Sequence, residues 1–140
     1  MAEMTNEDRD AFLAERRVAV LAIERKEKGP LCAPIWYRRS ADGTFEIAMA
    51  NDSAKAHLLR ASGRATLCVQ AEERPYRYVT AEGPVDLRVM SGDECHTILS
   101  DIATRYLGEK AGAAYADAFP GHEEALVRLT PENWRTEVLG

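Results

Sequence analysis

The chain has 140 residues, of which 46% are apolar and 29% charged, with a formal net charge of −5. This length suits a single domain over residues 1–140, and the ordinary composition excludes collagen-like and disordered chains. No apolar run approaches the ~18 residues of a membrane-spanning helix, and residues 1–17 lack the apolar core of a secretory signal. We therefore expect a cytoplasmic protein with no membrane partner. The dispersed acidic charge also disfavours a nucleic-acid partner.

The first fifty residues predict one helix and a three-stranded meander. Residues 6–16 are typical of a short amphipathic helix, and the β-branched run in residues 17–25 indicates a strand buried on both faces. A Gly-Pro turn leads to a strand over residues 31–39, which should pair antiparallel with the first. An Asp-Gly turn precedes the alternating residues 44–50. The apolar face of this third strand consists of Phe45, Ile47 and Met49.

The middle of the chain predicts a capped helix followed by two strands. Ser53, with Asn51 and Asp52 before it, can cap a helix over residues 54–61 that Gly63 ends. The apolar stripe of this helix would be Ala54, Leu58 and Ala61. Residues 64–72 alternate as a strand. Residues 76–90 form a long strand with a bend at Gly83-Pro84, because proline cannot donate to a central ladder.

The last third predicts two helices and two strands. Ser91 and Glu94 match a capping box, and the helix that follows places Cys95, Ile98, Ile102 and Tyr106 on one face before Gly108 ends it. An alanine-rich helix over residues 109–119 should stop at Pro120-Gly121, and strands are expected over residues 124–129 and 133–139. Seven mostly antiparallel strands with small helices indicate a mainly β domain, closed or nearly closed as a barrel.

The chain contains no standard catalytic motif, such as a nucleophile elbow, a Walker loop or a zinc-binding His-Glu-x-x-His pair. Cys32, Cys68 and Cys95 are widely spaced, so we expect reduced thiols in the core and no metal site. The histidines, His57, His96 and His122, lie in separate elements and are expected on helix surfaces or loops. A catalytic or metal-binding role is the alternative for each of them.

The helix after the third strand is the most informative stretch of the sequence. Ser53 and Lys55 lie in its first turn, where backbone N–H groups and the helix dipole favour anions. Arg60 and Arg64 would enlarge the positive field if they fold back. The pattern therefore allows a phosphate site. The alternative is an ordinary capped helix with solvated basic side chains, and the residues alone favour this alternative.

The order of several short motifs resembles a known superfamily over nearly the whole chain. These motifs are Pro34-Ile35-Trp36-Tyr37, Ser53-x-Lys55, Arg64-Ala65-x-Leu67-x-Val69, Tyr76-Arg77-Tyr78-Val79-x-Ala81-x-Gly83 and Leu129-Thr130-Pro131-Glu132-x-Trp134. They resemble the flavin- and deazaflavin-binding split barrels, which include pyridoxamine 5′-phosphate oxidase and the F420-dependent oxidoreductases. The resemblance implies a split β-barrel of six to seven antiparallel strands with Greek-key connections. It also implies a homodimer with two cofactor sites at the subunit interface.

The resemblance further implies which residues hold the cofactor, F420 or FMN. Ser53 and Lys55 match the phosphate-binding element, and the other positions lie along the cofactor ring or come from the partner subunit. The matching residues are Pro34, Ile35, Trp36, Ala48, Met49, Ala50, Ser53 and Lys55, with Tyr76, Tyr78 and Trp134 as weaker matches. The Ser-x-Lys and Tyr-Arg-Tyr-Val patterns look more like the F420-using relatives than the FMN-using ones.

The expected activity is hydride transfer between F420 or FMN and a small organic substrate, with the redox chemistry supplied by the cofactor. Pyridoxamine phosphate oxidases proper have Ser-Arg-Lys where this chain has Ser53-Ala54-Lys55, an arginine where it has Ala33-Pro34, and a different C-terminal segment. Oxidation of pyridoxamine phosphate is therefore not expected. The alternatives are a non-catalytic carrier of flavin, deazaflavin or haem with the same fold, and a dimeric domain whose groove binds nothing.

Overall fold

The structure, a computed structural model, describes residues 2–118 and 123–140, which form four helices and eight strands. The helices are α1 (Asn6–Ala14), α2 (Ala54–Ser62), α3 (Gly92–Leu107) and α4 (Glu109–Asp117). The strands are β1 (Ala19–Arg25), β2 (Lys28–Ile35), β3 (Arg38–Arg39), β4 (Phe45–Ala50), β5 (Arg64–Ala71), β6 (Tyr76–Val89), β7 (Glu124–Leu129) and β8 (Asn133–Leu139). The mainly β class with small helices is confirmed. The expected stop at Pro120-Gly121 and His122 lie outside the described residues.

All the paired strands run antiparallel, in the order β2-β1-β5-β6-β7-β4-β3, and β8 also pairs with β6. β6 is the strand that joins the two halves of this sheet. Its first part pairs with β5 and β8, whereas its last residues, from Val85 onward, pair with β7. The change of partners falls at Gly83-Pro84, where the sequence predicts a bend. None of the helices in the described ranges has the length and apolarity to cross a membrane.

The strand predicted over residues 31–39 is divided into β2 and β3, which raises the strand count from seven to eight. The division occurs because Trp36 and Tyr37 leave the ladder. Tyr37 turns its side chain fully into the core, and its backbone N–H donates to the Tyr106 hydroxyl of α3 at 3.2 Å rather than to a neighbouring strand. The aromatic pair therefore interrupts the sheet where a pocket opens beside it.

The main core lies between the inner faces of the strands and α1 and α2. Phe45, Ile47 and Met49 of β4 are buried as predicted. The prediction that the first strand is buried on both faces is wrong. Val20 is 42% exposed and Val18, just before the strand, is 50% exposed, because none of the described helices and strands covers the outer face of β1.

Two predicted helix features are also corrected. The buried residues of α2 are Ala56 and Leu59, whereas Ala54 and Ala61 of the predicted stripe are exposed. At the start of α3, the Ser91 side chain makes no capping hydrogen bond, and Glu94 accepts two hydrogen bonds of 2.6 Å from Arg88 instead. The predicted apolar face of α3 is confirmed, and it packs in a second, smaller cluster with Leu126 of β7.

The cysteines differ from one another in burial. All three are free, but only Cys95 is buried, whereas Cys68 is half-buried and Cys32 is exposed. The expectation of three core thiols is therefore wrong for Cys32, which lies opposite Ala22 on the outer face of the sheet. No cluster of metal-ligating side chains occurs among the residues that the structure describes.

The buried phenol of Tyr37 should make the protein less stable at alkaline pH. Its hydroxyl donates to the Leu13 carbonyl at 2.9 Å, and burial raises its pKa to about 12 from an unfolded value near 10. Because the folded state favours the neutral phenol, its stabilising effect is complete below pH ~10 and is lost as the pH rises towards ~12. Between these pH values, we expect this group to lower the free energy of unfolding by roughly 2–3 kcal/mol.

Urea denaturation of wild type and Tyr37→Phe from pH 8 to pH ~11.5 tests this expectation. Because the variant lacks the hydrogen bond to Leu13, its free energy of unfolding at pH 8 should be about 1 kcal/mol lower than that of wild type. Above pH ~10, however, its stability should fall less steeply with pH. Identical slopes for both proteins would assign the alkaline loss to other groups.

Candidate functional site

A pocket of about 210 Å³ opens where β2 ends, between β4, the start of α2 and the helices α3 and α4. Its walls are Pro34, Ile35, Trp36, Ile47, Ala48, Lys55, Leu99, Ile102, Ala103 and Tyr115. The structure thus brings together five residues that the sequence predicts as site residues, three at the end of β2 and just after it, one in β4 and one in α2. These are Pro34, Ile35, Trp36, Ala48 and Lys55.

Trp36 forms a rigid, flat wall of the pocket. Its indole stacks on Tyr106 with ring centroids 5.0 Å apart and an interplanar angle of 8°. The Tyr106 hydroxyl donates to the Arg17 carbonyl at 2.9 Å and accepts from the Tyr37 N–H, so its ring is fixed from both sides. A planar ligand could stack on an indole held in this way.

The start of α2 is a positive end with free donors. The Ser53 N–H donates to the Ala50 carbonyl at 3.0 Å, and the Ser53 side chain accepts from the Ala56 N–H at 3.2 Å, which confirms the predicted cap. The N–H groups of Ala54 and Lys55 therefore have no acceptor within the helix. The first turn carries no acidic residue, and the helix dipole adds to the positive potential there.

The Lys55 ammonium belongs to both the helix end and the pocket. Within the described ranges it has no carboxylate at ion-pair distance, unlike most of the arginines. Lys55 lines a pocket with mainly apolar side chains, and the free amides of the first turn of α2 are adjacent to it in the chain. This combination suits a ligand that has an anionic group and a flat apolar part.

The two arginines near this helix do not extend the positive field as expected. Arg60 donates to the Asn51 carbonyl at 2.9 Å and to the Asn51 side chain, which fixes the turn before the helix. Arg64 donates to Glu82 and to Glu132, each at 2.7 Å. These carboxylates neutralise Arg64, so Lys55 is left as the basic side chain of the pocket.

The remaining predicted site residues lie elsewhere in this chain. Met49 is packed in the main core and Ala50 is exposed at the end of β4. Tyr76 and Tyr78 lie on the first part of β6, between β5 and β8, where the Tyr78 hydroxyl accepts from Arg135 at 3.2 Å. These four do not line the pocket of the chain that carries them, so their role in a site stays a prediction.

Trp134, the weaker match, packs against Phe45 with 6.1 Å between the ring centroids, and Arg9 lies over it. It therefore acts as a core side chain in this chain.

Sequence reasoning missed the wall that the helices provide. Leu99, Ile102 and Ala103 of α3 and Tyr115 of α4 line the pocket. The spacing of the α3 residues was a visible signal of a buried face, but it did not show what the face covers. Tyr115 was also visible, as an isolated aromatic residue in an alanine-rich helix.

The ionisable side chains among the described residues that line the pocket are Lys55 and Tyr115. None of these described lining residues is a serine, cysteine, histidine or carboxylate.

Several solved structures share this fold. A conserved hypothetical protein from Mycobacterium tuberculosis aligns with a TM-score of 0.79 and 20% identity, covering 96% of this chain and 85% of that one. A protein named F420 reductase gives a TM-score of 0.69 and 18% identity, covering 90% of this chain and 94% of that one. An FAD and heme binding protein from Mycobacterium smegmatis gives a TM-score of 0.68 and 19% identity, and the alignment covers 96% of this chain and 71% of that one.

The sequence comparison is more specific than these structural similarities. No protein with curated annotation matches the sequence. However, residues 5–137, which are nearly the whole chain, match the family described as pyridoxamine 5′-phosphate oxidase. The resemblance inferred from the short motifs is therefore confirmed, and the chain belongs to the pyridoxamine 5′-phosphate oxidase family.

Proposed function

We propose that this protein is an oxidoreductase that uses F420, or FMN, to transfer a hydride to or from a small organic substrate. The observation that carries the proposal is the pocket, in which the Trp36 wall lies near the Lys55 ammonium and the first amides of α2. Across residues 2–118 and 123–140, no carboxylate lies at ion-pair distance from Lys55. F420 and FMN both combine a flat ring system with a phosphate, which are the two features that the pocket suits.

The named neighbours support the same choice of ligand class. One is called F420 reductase, and another is called an FAD and heme binding protein. The Ser53-x-Lys55 and Tyr76-Arg77-Tyr78-Val79 patterns favour F420 over FMN. The departures at Ala33 and Ala54 disfavour pyridoxamine phosphate as substrate.

The residues of this chain would bind and orient the cofactor rather than react. Lys55 and the first amides of α2 would hold the phosphate, and the apolar ends of β2 and β4 would exclude water from the ring. The cofactor, when bound, supplies the hydride chemistry. A cytoplasmic location stays a prediction.

We also propose that the functional unit is a homodimer. Val18, Val20, Cys32, Pro34 and Cys68 lie on the uncovered outer face of β2, β1 and β5, and Val20 is the cross-strand neighbour of both Pro34 and Cys68. Pro34 belongs to both this face and the pocket. The pocket, at about 210 Å³, is also smaller than the ~300–1,000 Å³ of typical ligand sites. A second copy over this face would bury its apolar residues and enlarge the site.

Val20→Glu tests the dimer. A carboxylate placed in the centre of an apolar interface cannot be buried without a partner, so we expect the variant to sediment as a monomer and the wild type as a dimer. Val89→Glu is the matched control, because Val89 is 49% exposed but lies on β6, away from this face. A monomeric wild type, or a dimer that survives Val20→Glu, would contradict the proposed interface.

The cofactor proposal is tested by the absorption spectrum of the purified protein and by titration with F420, FMN, FAD and haem. Flavin, deazaflavin and haem have distinct spectra, so one of them should copurify or bind with saturation. Quenching of tryptophan fluorescence gives an independent measure, since Trp36 lines the pocket. If none of the four binds, the proposal is wrong.

The second candidate function is a non-catalytic carrier of flavin, deazaflavin or haem. The mainly apolar lining of the pocket, in which Lys55 and Tyr115 are the ionisable side chains described, favours it. Turnover distinguishes the two functions. With a reduced cofactor bound, an oxidoreductase accelerates oxidation by some acceptors over others, whereas a carrier leaves the rates at those of the free cofactor. Quinones, enones and tetrapyrroles are the acceptors to test first.

A further inference from the structure

Tyr106 contacts the Trp36 wall of the pocket at two places. Its ring, near the end of α3, stacks on the indole with an interplanar angle of 8°. Its hydroxyl oxygen accepts at 3.2 Å from the backbone N–H of Tyr37, the residue that follows Trp36, and the Tyr37 carbonyl lies 3.4 Å from the same oxygen. One residue of a helix distant in the chain therefore holds both the side chain and the backbone of this wall.

The Tyr106 hydroxyl takes the place of a neighbouring strand for the backbone at Tyr37. β2 ends at Ile35 and β3 begins at Arg38, so Trp36 and Tyr37 lie outside both ladders. A buried N–H that loses its acceptor is costly. If the hydroxyl were removed, the backbone at Tyr37 would have to shift towards another acceptor, and the indole of Trp36 would move with it.

The hydroxyl is itself fixed by the segment that follows α1. It donates to the Arg17 carbonyl at 2.9 Å. Two arginines also join the ends of α1 and α3 reciprocally. Arg16 donates to the Tyr106 carbonyl at 2.8 Å, and Arg105 donates to the Glu15 carbonyl at 2.9 Å. Tyr106 is therefore anchored through its backbone and its hydroxyl, independently of its contact with the wall.

We infer that Tyr106 is a positioning residue whose hydroxyl fixes Trp36 in the orientation in which a flat ring system stacks on it. This inference rests on the proposed function, because it concerns how the same pocket binds the ring of its ligand. Tyr106 itself is not one of the described residues that line the pocket, so it acts through Trp36. A wall that is ordered before binding saves the ligand the cost of ordering it.

Tyr106→Phe tests the inference because it keeps the stacked ring and removes only the hydroxyl. If Trp36 then holds its binding orientation for about a tenth of the time, the apparent dissociation constant of FMN rises about tenfold. Riboflavin, which has the same ring system without the phosphate, should weaken to the same extent. Inorganic phosphate, which would contact only the Lys55 end of the pocket, should change by less than about twofold. Calorimetry measures the first two, and phosphorus NMR measures the third.

Tyr37→Phe is the matched control. Its hydroxyl donates to the Leu13 carbonyl at 2.9 Å, the same distance as that from the Tyr106 hydroxyl to the Arg17 carbonyl. Each variant thus loses one hydrogen bond to the backbone at the end of α1, but Tyr37→Phe leaves the acceptor for the Tyr37 N–H in place. It should lower Tm by several degrees and keep the FMN affinity within about twofold of wild type.

Fluorescence anisotropy of Trp36 gives a readout that needs no ligand. The chain has two tryptophans, so a Trp134→Phe background isolates the signal of Trp36. With Tyr106 intact, the anisotropy should decay only with tumbling of the whole protein. Tyr106→Phe should add a faster decay on the nanosecond scale, whereas Tyr37→Phe should not. Fast local motion of Trp36 in the protein that retains Tyr106 would overturn the inference, even if Tyr106→Phe failed to fold.

The binding results separate the positioning role from the proposed function. If FMN binds wild type and Tyr106→Phe equally well, Tyr106 does not position the wall, while the cofactor proposal stands. Equal weakening in Tyr106→Phe and Tyr37→Phe also overturns the inference, because affinity then follows stability alone. If wild type binds none of FMN, F420 and riboflavin, the cofactor proposal is wrong and the positioning role is wrong with it.

Discussion

Replacing Gly83 by alanine is expected to lower the free energy of unfolding by about 3 kcal/mol, at the upper end of overpacking effects. A Cβ at Gly83 would stand 1.9 Å from the carbonyl oxygen of Thr130 and 3.1 Å from the Glu132 nitrogen. Both are backbone atoms, so no side-chain rotation relieves the overlap. The segment between β7 and β8 would have to move away from β6.

That movement would break the contacts at which β6 changes partners. The Thr130 N–H donates to the Pro84 carbonyl at 3.0 Å, and the Glu132 N–H donates to the Glu82 carbonyl at 2.8 Å. The two halves of the sheet meet here, so the loss affects the whole fold rather than one strand end.

Thermal and urea denaturation of Gly83→Ala measure the effect, and a fall in Tm of roughly 10 °C is expected. Gly29→Ala is the matched control, because Gly29 also lies in a strand but has nothing within 4 Å of a new Cβ. Its stability should stay within about 0.5 kcal/mol of wild type. Equal stabilities of the two variants would show that the backbone at Thr130 can yield.

Removing the Lys55 charge is expected to weaken binding of F420 or FMN ten- to a hundredfold. A charge-assisted hydrogen bond to a phosphate contributes about 1.5–3 kcal/mol, and Lys55 is the basic side chain among the described residues that line the pocket. Lys55→Met tests the charge more specifically than Lys55→Ala does, because methionine keeps an unbranched apolar side chain along the wall of the pocket. The dissociation constant is measured by titration at low and high salt, and the salt dependence should decrease in the variant.

Two controls accompany this measurement. Lys55→Arg keeps the charge and should retain most of the affinity, reduced to the extent that the broader guanidinium fits poorly. Lys26→Ala removes a charge from the exposed turn between β1 and β2, so it tests for a general effect of net charge. Unchanged cofactor affinity in folded Lys55→Met would remove Lys55 from the site.

The sequence predicted the elements well where a local signal was strong. The strands at residues 124–129 and 133–139 have the predicted bounds, and the cap at Ser53 and the stop at Gly63 occur as expected. Capping hydrogen bonds, glycine at positive φ and period-two alternation depend on residues close together in the chain, so they can be recognised without the fold.

The predictions that the structure corrected depend on contacts between residues that are distant in the chain. The exposure of Val20, the buried face of α2 and the break at Trp36 depend on what lies opposite each residue in space. An apolar strand looks the same in sequence whether one or both of its faces are covered by the chain. Whether Arg64 contributes to a site depends on Glu82 and Glu132, which reach it only through the pairing of β5 with β6 and the turn before β8.

The sequence by itself determined the mainly β class, the family and the capped start of α2, because these follow from local patterns and from motif order. Only the tertiary structure decided that Pro34, Trp36, Ala48 and Lys55 share one pocket. The structure also showed that α3 and α4, the latter with Tyr115, form one side of this pocket. A pocket forms between elements distant in the chain, and its walls are determined by packing that no local pattern encodes.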